Sequence, residues 1–295
     1  MKKETKGMLL GLLGVTIFGL TLPMTKMIIP YLNPIFIGLG RSVFATFIAI
    51  VLLWKFSKDI PTKKQIYQLV VVALGVVIGF PIFTAIAMQS VPASHGAVVI
   101  GVLPLVTAVF GTIISKDKPS FSFWVVSFIG TSLVIVYALW EGGGSFQYAD
   151  LNLFIAVSLV GMGYAVGAKL SIELGGWQVI CWALVLSFPF IVLPTIYYVP
   201  NRLFDFPLST YFGFLYLTVM SQLFGFFFWY KGLSIGGIAR VSQVQLMQTF
   251  ITLIASYYLL DEKLNIQIFV FSTLVVWFVW LGKRMPIKTL NTVRH

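Results

Sequence analysis

Residues 93–118 read ASHGAVVIGVLPLVTAVFGTIISKDK, and residues 238–263 read IARVSQVQLMQTFITLIASYYLLDEK. The two stretches align without a gap at an offset of 145 residues, close to half of the 295-residue chain. Matched positions in this alignment are Thr107 with Thr252, Asp117 with Glu262, and Lys118 with Lys263. Weak internal symmetry at this spacing predicts two similar halves, 1–145 and 146–295.

The composition around this repeat requires a lipid solvent. Of all residues, 59% are hydrophobic and 10% are charged, and the mean hydropathy is +0.96. Ordinary soluble domains carry about a quarter of charged residues, so the surface of this chain fits a bilayer better than water. Apolar stretches of about 20 residues predict an all-α integral membrane protein with ten transmembrane helices. We number them segments 1 to 10: 7–29, 34–54, 66–89, 94–114, 121–140, 150–170, 176–198, 209–230, 240–260 and 265–283.

Five segments in each half have a topological consequence. An odd number of crossings makes the second half enter the membrane from the side opposite to the first. We therefore expect two inverted five-helix repeats, with a substrate site at the interface between them.

The distribution of charge predicts an orientation. The net charge is +11, but the basic residues lie between apolar segments rather than on one face, which disfavours nucleic acid as a partner. With the N-terminus in the cytoplasm, all Lys and Arg except Lys26, Arg41, Arg202 and Lys263 fall in cytoplasmic stretches. The positive-inside rule then predicts a multi-pass protein with both termini cytoplasmic. The run from Met8 to Ile29 is longer than a signal-peptide core and precedes no A-x-A site, so we expect it to stay uncleaved.

Four stretches resemble motifs of the EamA-like branch of the drug/metabolite transporter superfamily. FGLTLPMTK (18–26) resembles its W-G-x-x-F-x-x-x-K, and GRSVFAT (40–46) resembles the arginine-containing start of its second helix. VLPLVTAVFGTIISKD (102–117) and LMQTFITLIASYYLLDEKL (246–264) resemble a pair of repeated stretches, one in each half. The resemblance covers nearly the whole chain. It implies export of small metabolites, commonly amino acids or related compounds, through a central cavity, and a location in the inner (plasma) membrane of a bacterium.

Segment 1 carries two residues that suit movement and entry. Pro23 removes a backbone donor and should bend the helix, which suits gating. Lys26 lies about one turn from the predicted outer end, and Lys169 lies near the corresponding point of segment 6. The two lysines therefore fall at opposite mouths and could meet a charged substrate or lipid headgroups. The alternative for Lys26 is that it snorkels to the membrane interface.

Arg41 is the deepest predicted charge. It lies about seven residues into segment 2, roughly 10 Å deep at 1.5 Å per residue. Such a charge costs about 2.5 to 3.5 kcal/mol even on insertion scales, so it should face the bundle interior. Its partners are either backbone carbonyls freed by Pro23, which would make it a brace, or a substrate anion.

Buried amides predict the rest of the site. Gln245, Gln248 and Thr249 share one face of segment 9 by helical spacing, and Gln222 lies in an aromatic stretch of segment 8. Amides in an apolar setting must be hydrogen-bonded, so these side chains either staple helices together or line a wet cavity. We expect them to bind substrate, together with Tyr164 near the middle of segment 6.

Titratable groups limit the mechanism. His95 is expected at the outer mouth as a gating residue or, alternatively, as a simple helix-start residue. All acidic residues, Asp150 included, are expected at segment ends or in loops, and ion-coupled carriers often place acids within their helices. The sequence therefore favours facilitated diffusion or exchange of a zwitterionic or anionic small molecule. It contains no Walker A loop, no H-E-x-x-H, no G-x-S-x-G and no metal-ligand cluster, so we expect neither an enzyme nor a cofactor.

Two other functions remain open at this stage. A cationic drug exporter would use aromatic side chains rather than acids to hold its substrate. A non-transporting membrane scaffold would show no flux and would co-purify with a partner. The sequence predicts no oligomeric state.

Overall fold

The computed structural model describes residues 3–57, 60–115, 118–141, 147–201, 204–236, 241–285 and 287–288, and these are almost entirely helical. In chain order the α-helices are Lys3–Gly19, Thr21–Ile28, Arg41–Phe56, Lys63–Val72, Phe80–Ala87, Ala93–Ile100, Leu103–Ser115, Phe121–Glu141, Tyr148–Leu174, Gly176–Tyr197, Leu208–Leu215, Gly225–Gly236, Met247–Leu260 and Ile266–Arg284. Between them lie π-helices at Phe36–Gly40, Ala73–Gly79 and Tyr216–Phe224, and a 3₁₀-helix at Ser242–Leu246. Two-residue strands, Lys118–Pro119 and Ile287–Lys288, pair antiparallel.

Eight helical stretches are long and apolar enough to cross a membrane, by length and composition. They are Thr5–Ile28, Phe36–Phe56, Lys63–Ala87, Ala93–Ile114, Phe121–Trp140, Tyr148–Leu174, Gly176–Tyr197 and Leu208–Gly236. These correspond to predicted segments 1 to 8, and the largest boundary difference is at the end of segment 8. Segments 9 and 10 appear as shorter apolar helices, Val244–Leu260 and Ile266–Leu281. The predicted boundary between the halves, at residues 145 and 146, and the predicted start of segment 9 at residue 240 lie outside the described residues.

Segment 1, which Pro23 is predicted to bend, is interrupted a few residues before the proline. The helix is broken at Leu20, between Lys3–Gly19 and Thr21–Ile28. A proline cannot donate to the carbonyl four residues earlier, which here is the carbonyl of Gly19. That acceptor instead receives the hydroxyl of Thr252 from segment 9, at 2.7 Å. The break is therefore stabilised by a contact from the other half of the chain.

Helix irregularities recur at the spacing of the sequence repeat. Segment 4 is interrupted between Ile100 and Leu103, and segment 9 changes from 3₁₀ to α between Leu246 and Met247, about 145 residues later. The π-helix of segment 3, Ala73–Gly79, likewise corresponds to the π-helix of segment 8. The π-helix of segment 2 has no counterpart, because segment 7 is α-helical throughout.

The packing of the segments follows the same pairing. Segment 1 packs on segment 8, and segment 6 packs on segment 3; segment 9 packs on segment 1, and segment 4 packs on segment 6. Segments 2 and 7, 5 and 10, and 4 and 9 contact each other directly. Glycines bring the first two pairs close: a Cβ at Gly7 would overlap the backbone of Gly236, and one at Gly75 would overlap the carbonyl of Leu159. Large apolar side chains such as Trp54, Phe128 and Phe190 lie exposed on the outside, as a lipid-facing surface requires.

Candidate functional site

A small polar cavity lies where segments of both halves meet. Segments 1, 2 and 3 of the first half and segments 6, 8 and 9 of the second contribute side chains to it. Its lining consists of Phe18, Thr21, Arg41, Val76, Phe80, Tyr164, Ser221, Gln222, Phe226 and Gln248. The volume open to the centre of a water molecule is about 10 Å³, enough for about one water. In this conformation the cavity is therefore contracted, and an organic molecule would need the helices to move apart.

Arg41 enters this cavity from the start of a helix. The π-helix Phe36–Gly40 precedes it, and the glycines of that turn allow close packing: a Cβ at Gly38 would lie 2.9 Å from the backbone of Ile82. The Arg41 side chain is only 3% exposed, and its Nε has no hydrogen-bond partner among the described residues. A buried guanidinium whose donors are not all used has capacity for an anion.

The amides of the cavity are also incompletely paired. Nε2 of Gln222 and Oε1 of Gln248 are buried and have no partner among the described residues. Thr21 and Ser221 bond to each other through their hydroxyls at 2.8 Å. Leaving a buried polar group unpaired costs about 1 to 3 kcal/mol. The wall therefore has hydrogen-bond donors and acceptors that a bound molecule could satisfy, around a space large enough for about one water.

One wall of the cavity is aromatic. The ring centroid of Phe18 lies 4.8 Å from that of Phe226 and 6.3 Å from that of Tyr164. Tyr164 also faces Trp229 at 5.9 Å. The site thus combines one cation, amides, hydroxyls and an apolar face, which are the groups that an amphiphilic small molecule needs.

The predicted binding residues divide into two groups. Arg41, Tyr164, Gln222 and Gln248 line the cavity. Gln245 and Thr249 are also buried but lie outside the lining, and neither polar side-chain atom of Gln245 has a hydrogen-bond partner among the residues that the structure describes. Sequence reasoning missed other members of the wall, namely Phe18, Thr21, Val76, Phe80, Ser221 and Phe226. Hydroxyl and apolar residues are common in membrane helices, so no sequence signal separated these from packing residues.

The predicted mouth residues lie at the two ends of the bundle. Two of them, Lys26 and His95, lie at one end, which we call the Glu262 end and define by Lys26, His95, Asp150 and Glu262. Lys169 lies at the other end and is exposed. Lys26 is half-buried and donates from Nζ to the carbonyl of Met88 at 2.8 Å.

Glu262 closes its end by capping a helix. Its two carboxylate oxygens accept the N–H groups of Ala93 and Ser94, at 2.7 and 2.9 Å. The preceding residue, Asp261, ends segment 9 in the left-handed conformation with φ of 52° and so turns the chain toward segment 4. A carboxylate at a helix N-terminus gains from charge-assisted bonds and from the helix dipole. Its repeat counterpart, Asp117, lies outside the described residues.

Asp150 lies at the end of a segment, as predicted, but its side chain is buried there. Asp150 lies in the first turn of the helical stretch Tyr148–Leu174, is fully buried, and accepts the N–H of Gln147 at 3.0 Å. Its other oxygen meets Nε2 of His95 at 2.7 Å. His95 lies in the first turn of the helix Ala93–Ile100 and is 2% exposed, and its gating role stays a prediction. Among the residues that the structure describes, no three His, Cys, Asp or Glu side chains converge as metal ligands.

Comparison with known proteins identifies the family to which this chain belongs. The model of the EamA-like transporter family matches the chain twice, over residues 5–139 and 147–281. An uncharacterized transporter of Bacillus subtilis (strain 168), YdeK, is 40% identical over 284 residues, which cover 96% of this chain and 99% of the relative. A solved structure described only as "Crystal structure of protein" is similar in fold, with a TM-score of 0.66 and 13% identity, over 94% of this chain and 98% of that one. The chain therefore belongs to the EamA-like transporter family, as a multi-pass membrane protein.

Proposed function

We propose that this protein is a secondary transporter that moves small zwitterionic or anionic metabolites, such as amino acids, through the central cavity by alternating access. The observation that carries the proposal is the buried Arg41 with its unpartnered Nε, in a cavity lined by both halves. The acids near the Glu262 end are engaged elsewhere: Asp150 meets His95, and Glu262 caps segment 4. A substrate carboxylate would supply the anion that this guanidinium suits.

The proposed architecture is ten transmembrane helices in two inverted repeats, 1–145 and 146–295. The double family match, the recurring helix irregularities and the paired helix contacts support it. Segments 9 and 10 complete the second five even though they are shorter than the others. We further propose that both termini face the cytoplasm at the inner membrane and that the Glu262 end faces outward, as the distribution of Lys and Arg indicates.

Export of the substrate requires the two ends to open in turn. In the structure two contacts hold the Glu262 end together. Glu262 accepts hydrogen bonds from the first N–H groups of segment 4, and Lys26 donates a hydrogen bond to the carbonyl of Met88. The irregularities of segments 1 and 9 lie beside Thr21 and Gln248 of the cavity lining, and breaks of this kind allow the halves of a helix to move separately. In the proposed cycle the cavity enlarges when either end separates.

The test is counterflow of a labelled amino-acid mixture in liposomes containing the purified protein, wild type beside Arg41→Gln. We expect protein-dependent flux that falls at least tenfold in the variant, because loss of a charge-assisted bond of about 1.5 to 3 kcal/mol corresponds to roughly a tenfold to hundredfold change. Arg284→Gln is the matched control: it makes the same chemical change at an exposed residue and should retain flux.

The outcomes separate the remaining functions. Flux that is indifferent to Arg41→Gln would make the arginine a brace and would refute carboxylate recognition. The aromatic wall of Phe18, Tyr164 and Phe226 favours one second candidate, a cationic drug exporter. That function predicts uptake of a quaternary ammonium probe and no amino-acid flux. Absence of all flux, with a co-purifying membrane protein, would indicate a scaffold.

A further inference from the structure

A second cavity lies on the side of the bundle, between segments 2 and 8. Its volume open to the centre of a water molecule is about 420 Å³. We call it the groove and define it by six of its lining residues, Phe36, Phe44, Thr210, Phe214, Leu215 and Thr218. None of these lines the central cavity, so the groove is a separate site. It lies toward the Glu262 end, because the start of segment 8 packs on the end of segment 1: a Cβ at Gly213 would overlap the side chain of Ile28.

The groove has a buried aromatic floor and exposed rims. The rings of Phe36 and Phe214 stack on the floor, with their centroids 5.4 Å apart and their planes within 11° of parallel. Phe36 is 5% exposed, whereas Phe44 of segment 2 and Leu215 of segment 8 are 49% and 57% exposed. Phe44 lies eight residues into its helical span, so its exposed ring faces the bilayer. The groove therefore opens sideways into lipid.

The length of the groove matches one leaflet of a bilayer. Its lining extends from Phe36 to Phe44 along segment 2 and from Thr210 to Thr218 along segment 8. Eight residues at 1.5 Å each make about 12 Å, and one leaflet contributes about half of a hydrocarbon core of about 30 Å. Both stretches begin at the Glu262 end of their segments. An acyl chain of the adjacent leaflet has the length, direction and chemistry that this space accepts.

One polar group of the groove is buried without a partner. Thr210 is 1% exposed, and its hydroxyl has no hydrogen-bond partner among the residues that the structure describes. It lies in the first turn of the helix Leu208–Leu215, at the level where the hydrocarbon core meets the lipid headgroups. The glycerol esters of a phospholipid lie at this level, and their carbonyl oxygens accept hydrogen bonds. Such an acceptor would remove the cost of the unpaired hydroxyl.

The deeper threonine of the groove is different. Thr218 lies about two helical turns below Thr210, and its hydroxyl donates to the carbonyl of Phe214 at 2.8 Å. The groove is thus apolar in its depth and offers a free donor at the interface. This is the arrangement that an amphiphile with one apolar chain requires.

We infer that the groove binds one bilayer phospholipid, with an acyl chain on the aromatic floor and an ester carbonyl accepting the hydroxyl of Thr210. The inference goes beyond the proposed function and does not depend on it, since lipid surrounds the protein whatever it transports. Segments 2 and 8 also bring Arg41, Ser221 and Gln222 to the central cavity. The bound lipid therefore lies against two of the helices that form that cavity.

The site is tested by photo-crosslinking in liposomes. The bilayer is phosphatidylethanolamine and phosphatidylglycerol, with a trace of phosphatidylglycerol that carries a diazirine in the middle of one acyl chain. After illumination, mass spectrometry gives the labelled fraction of the peptide containing Phe36–Phe44. This fraction is divided by that of the peptide containing Phe128, an exposed residue of segment 5, to give the crosslinking ratio.

We expect a crosslinking ratio several-fold above one in the unaltered protein, because a lipid held in the groove exchanges more slowly than the lipid around it. A ratio of one would mean ordinary surrounding lipid and would overturn the inference. A ratio below one, with a dimeric mass by light scattering, would also overturn it, because a second copy of the chain would then cover the groove. This measurement needs no variant to fold.

Two pairs of variants test the assigned contacts. Leu215→Trp enlarges a rim side chain and should lower the crosslinking ratio toward one, whereas Leu193→Trp, the same change at an exposed position of segment 7, should not. Thr210→Val keeps the shape but removes the free hydroxyl, so the ratio should fall about two- to tenfold, as loss of one hydrogen bond predicts. Thr218→Val is its control within the groove and should keep the ratio. Equal ratios in the two threonine variants would overturn the ester contact.

Discussion

Thr252 shows how one hydroxyl can fix a helix break. Pro23 deprives the Gly19 carbonyl of its helical donor, and the Thr252 hydroxyl replaces that donor across the interface between the halves. The repeat counterpart of Thr252 is Thr107, whose hydroxyl has no partner among the described residues. The two threonines therefore occupy matched positions in the sequence and make different contacts.

Thr252→Val should destabilise the fold by about 1 to 3 kcal/mol, the cost of leaving a buried carbonyl without a donor. Thr107→Val, the control, removes a hydroxyl that bonds to nothing described and should be neutral or slightly stabilising. The measurement is the thermal unfolding midpoint of both purified variants in the same detergent. Equal midpoints would contradict the assigned role of the Thr252 bond.

Individual residues were predictable where their chemistry is rare in a membrane. Arg41, Gln222 and Gln248 stand out in apolar segments, and the structure brings them to one cavity. His95 and Asp150 did not stand out as a pair. Each lies near the start of its own segment, and 55 residues separate them, so neither hydropathy nor spacing could show that they meet or how deep they lie.

At the scale of the helix, close contacts between segments depend on glycine. A Cβ on Gly232 would lie 2.8 Å from both the amide nitrogen of Gly11 and the carbonyl oxygen of Gly7, which are backbone atoms that cannot rotate away. Gly111, in segment 4, has nothing within 4 Å of such a Cβ.

Gly232→Ala should therefore cost about 1 to 3 kcal/mol through overpacking between segments 1 and 8. Gly111→Ala should instead gain about 0.5 to 1 kcal/mol, because alanine orders a helix at a lower entropic cost. Thermal midpoints of the two variants check both signs. A stabilised Gly232→Ala protein would show that the two segments are not in close contact.

Helix interruptions were predictable only where proline causes them. Pro23 predicts the break in segment 1, which the structure has at Leu20. The π-helix Ala73–Gly79 ends two residues before Pro81, whereas Tyr216–Phe224 has no proline in it or beside it. A pattern of apolar residues is the same for an α-helix and a π-helix, so hydropathy predicts neither π-helix.

At the scale of the molecule, one carboxylate supplies two of the hydrogen bonds that join segments at the Glu262 end. Glu262→Gln keeps the shape of the side chain but removes the charge and one acceptor, so at least one of the two capped N–H groups loses its partner. In a Cys181→Ser background, we expect the labelling ratio, which is the rate at which a membrane-impermeant maleimide labels Met88→Cys divided by the rate for the exposed Ser90→Cys, to rise several-fold.

The control for this prediction is Asp261→Asn. It makes the same change one residue earlier, at an exposed position whose left-handed backbone asparagine also adopts. Its labelling ratio should match that of the parent protein. An unchanged labelling ratio in Glu262→Gln would show that the Glu262 cap does not keep this end closed.

The whole-chain architecture was the most predictable feature, because the repeat and the hydropathy pattern both report it. Segments 1 to 8 have helical counterparts within a few residues of their predicted bounds. The described helices of segments 9 and 10 also agree with their predicted bounds, because the first ends at Leu260 and the second runs from Ile266 to Arg284.

The unequal threonines have a kinetic meaning. If the two inverted halves were identical, the inward-open and outward-open forms of a carrier would have equal free energies. The substrate would then bind with the same apparent affinity from either side of the membrane. Identical halves would exchange the Thr252 bond for a Thr107 bond in the opposite form, but the position that matches Pro23 in the second half is Ala168, in a continuous helix. No carbonyl there lacks its helical donor, so in the proposed cycle the two forms would differ in free energy and in population. Detailed balance then fixes the ratio of half-saturation concentrations on the two faces, and a passive carrier of this kind can take up substrate tightly on one side and release it readily on the other.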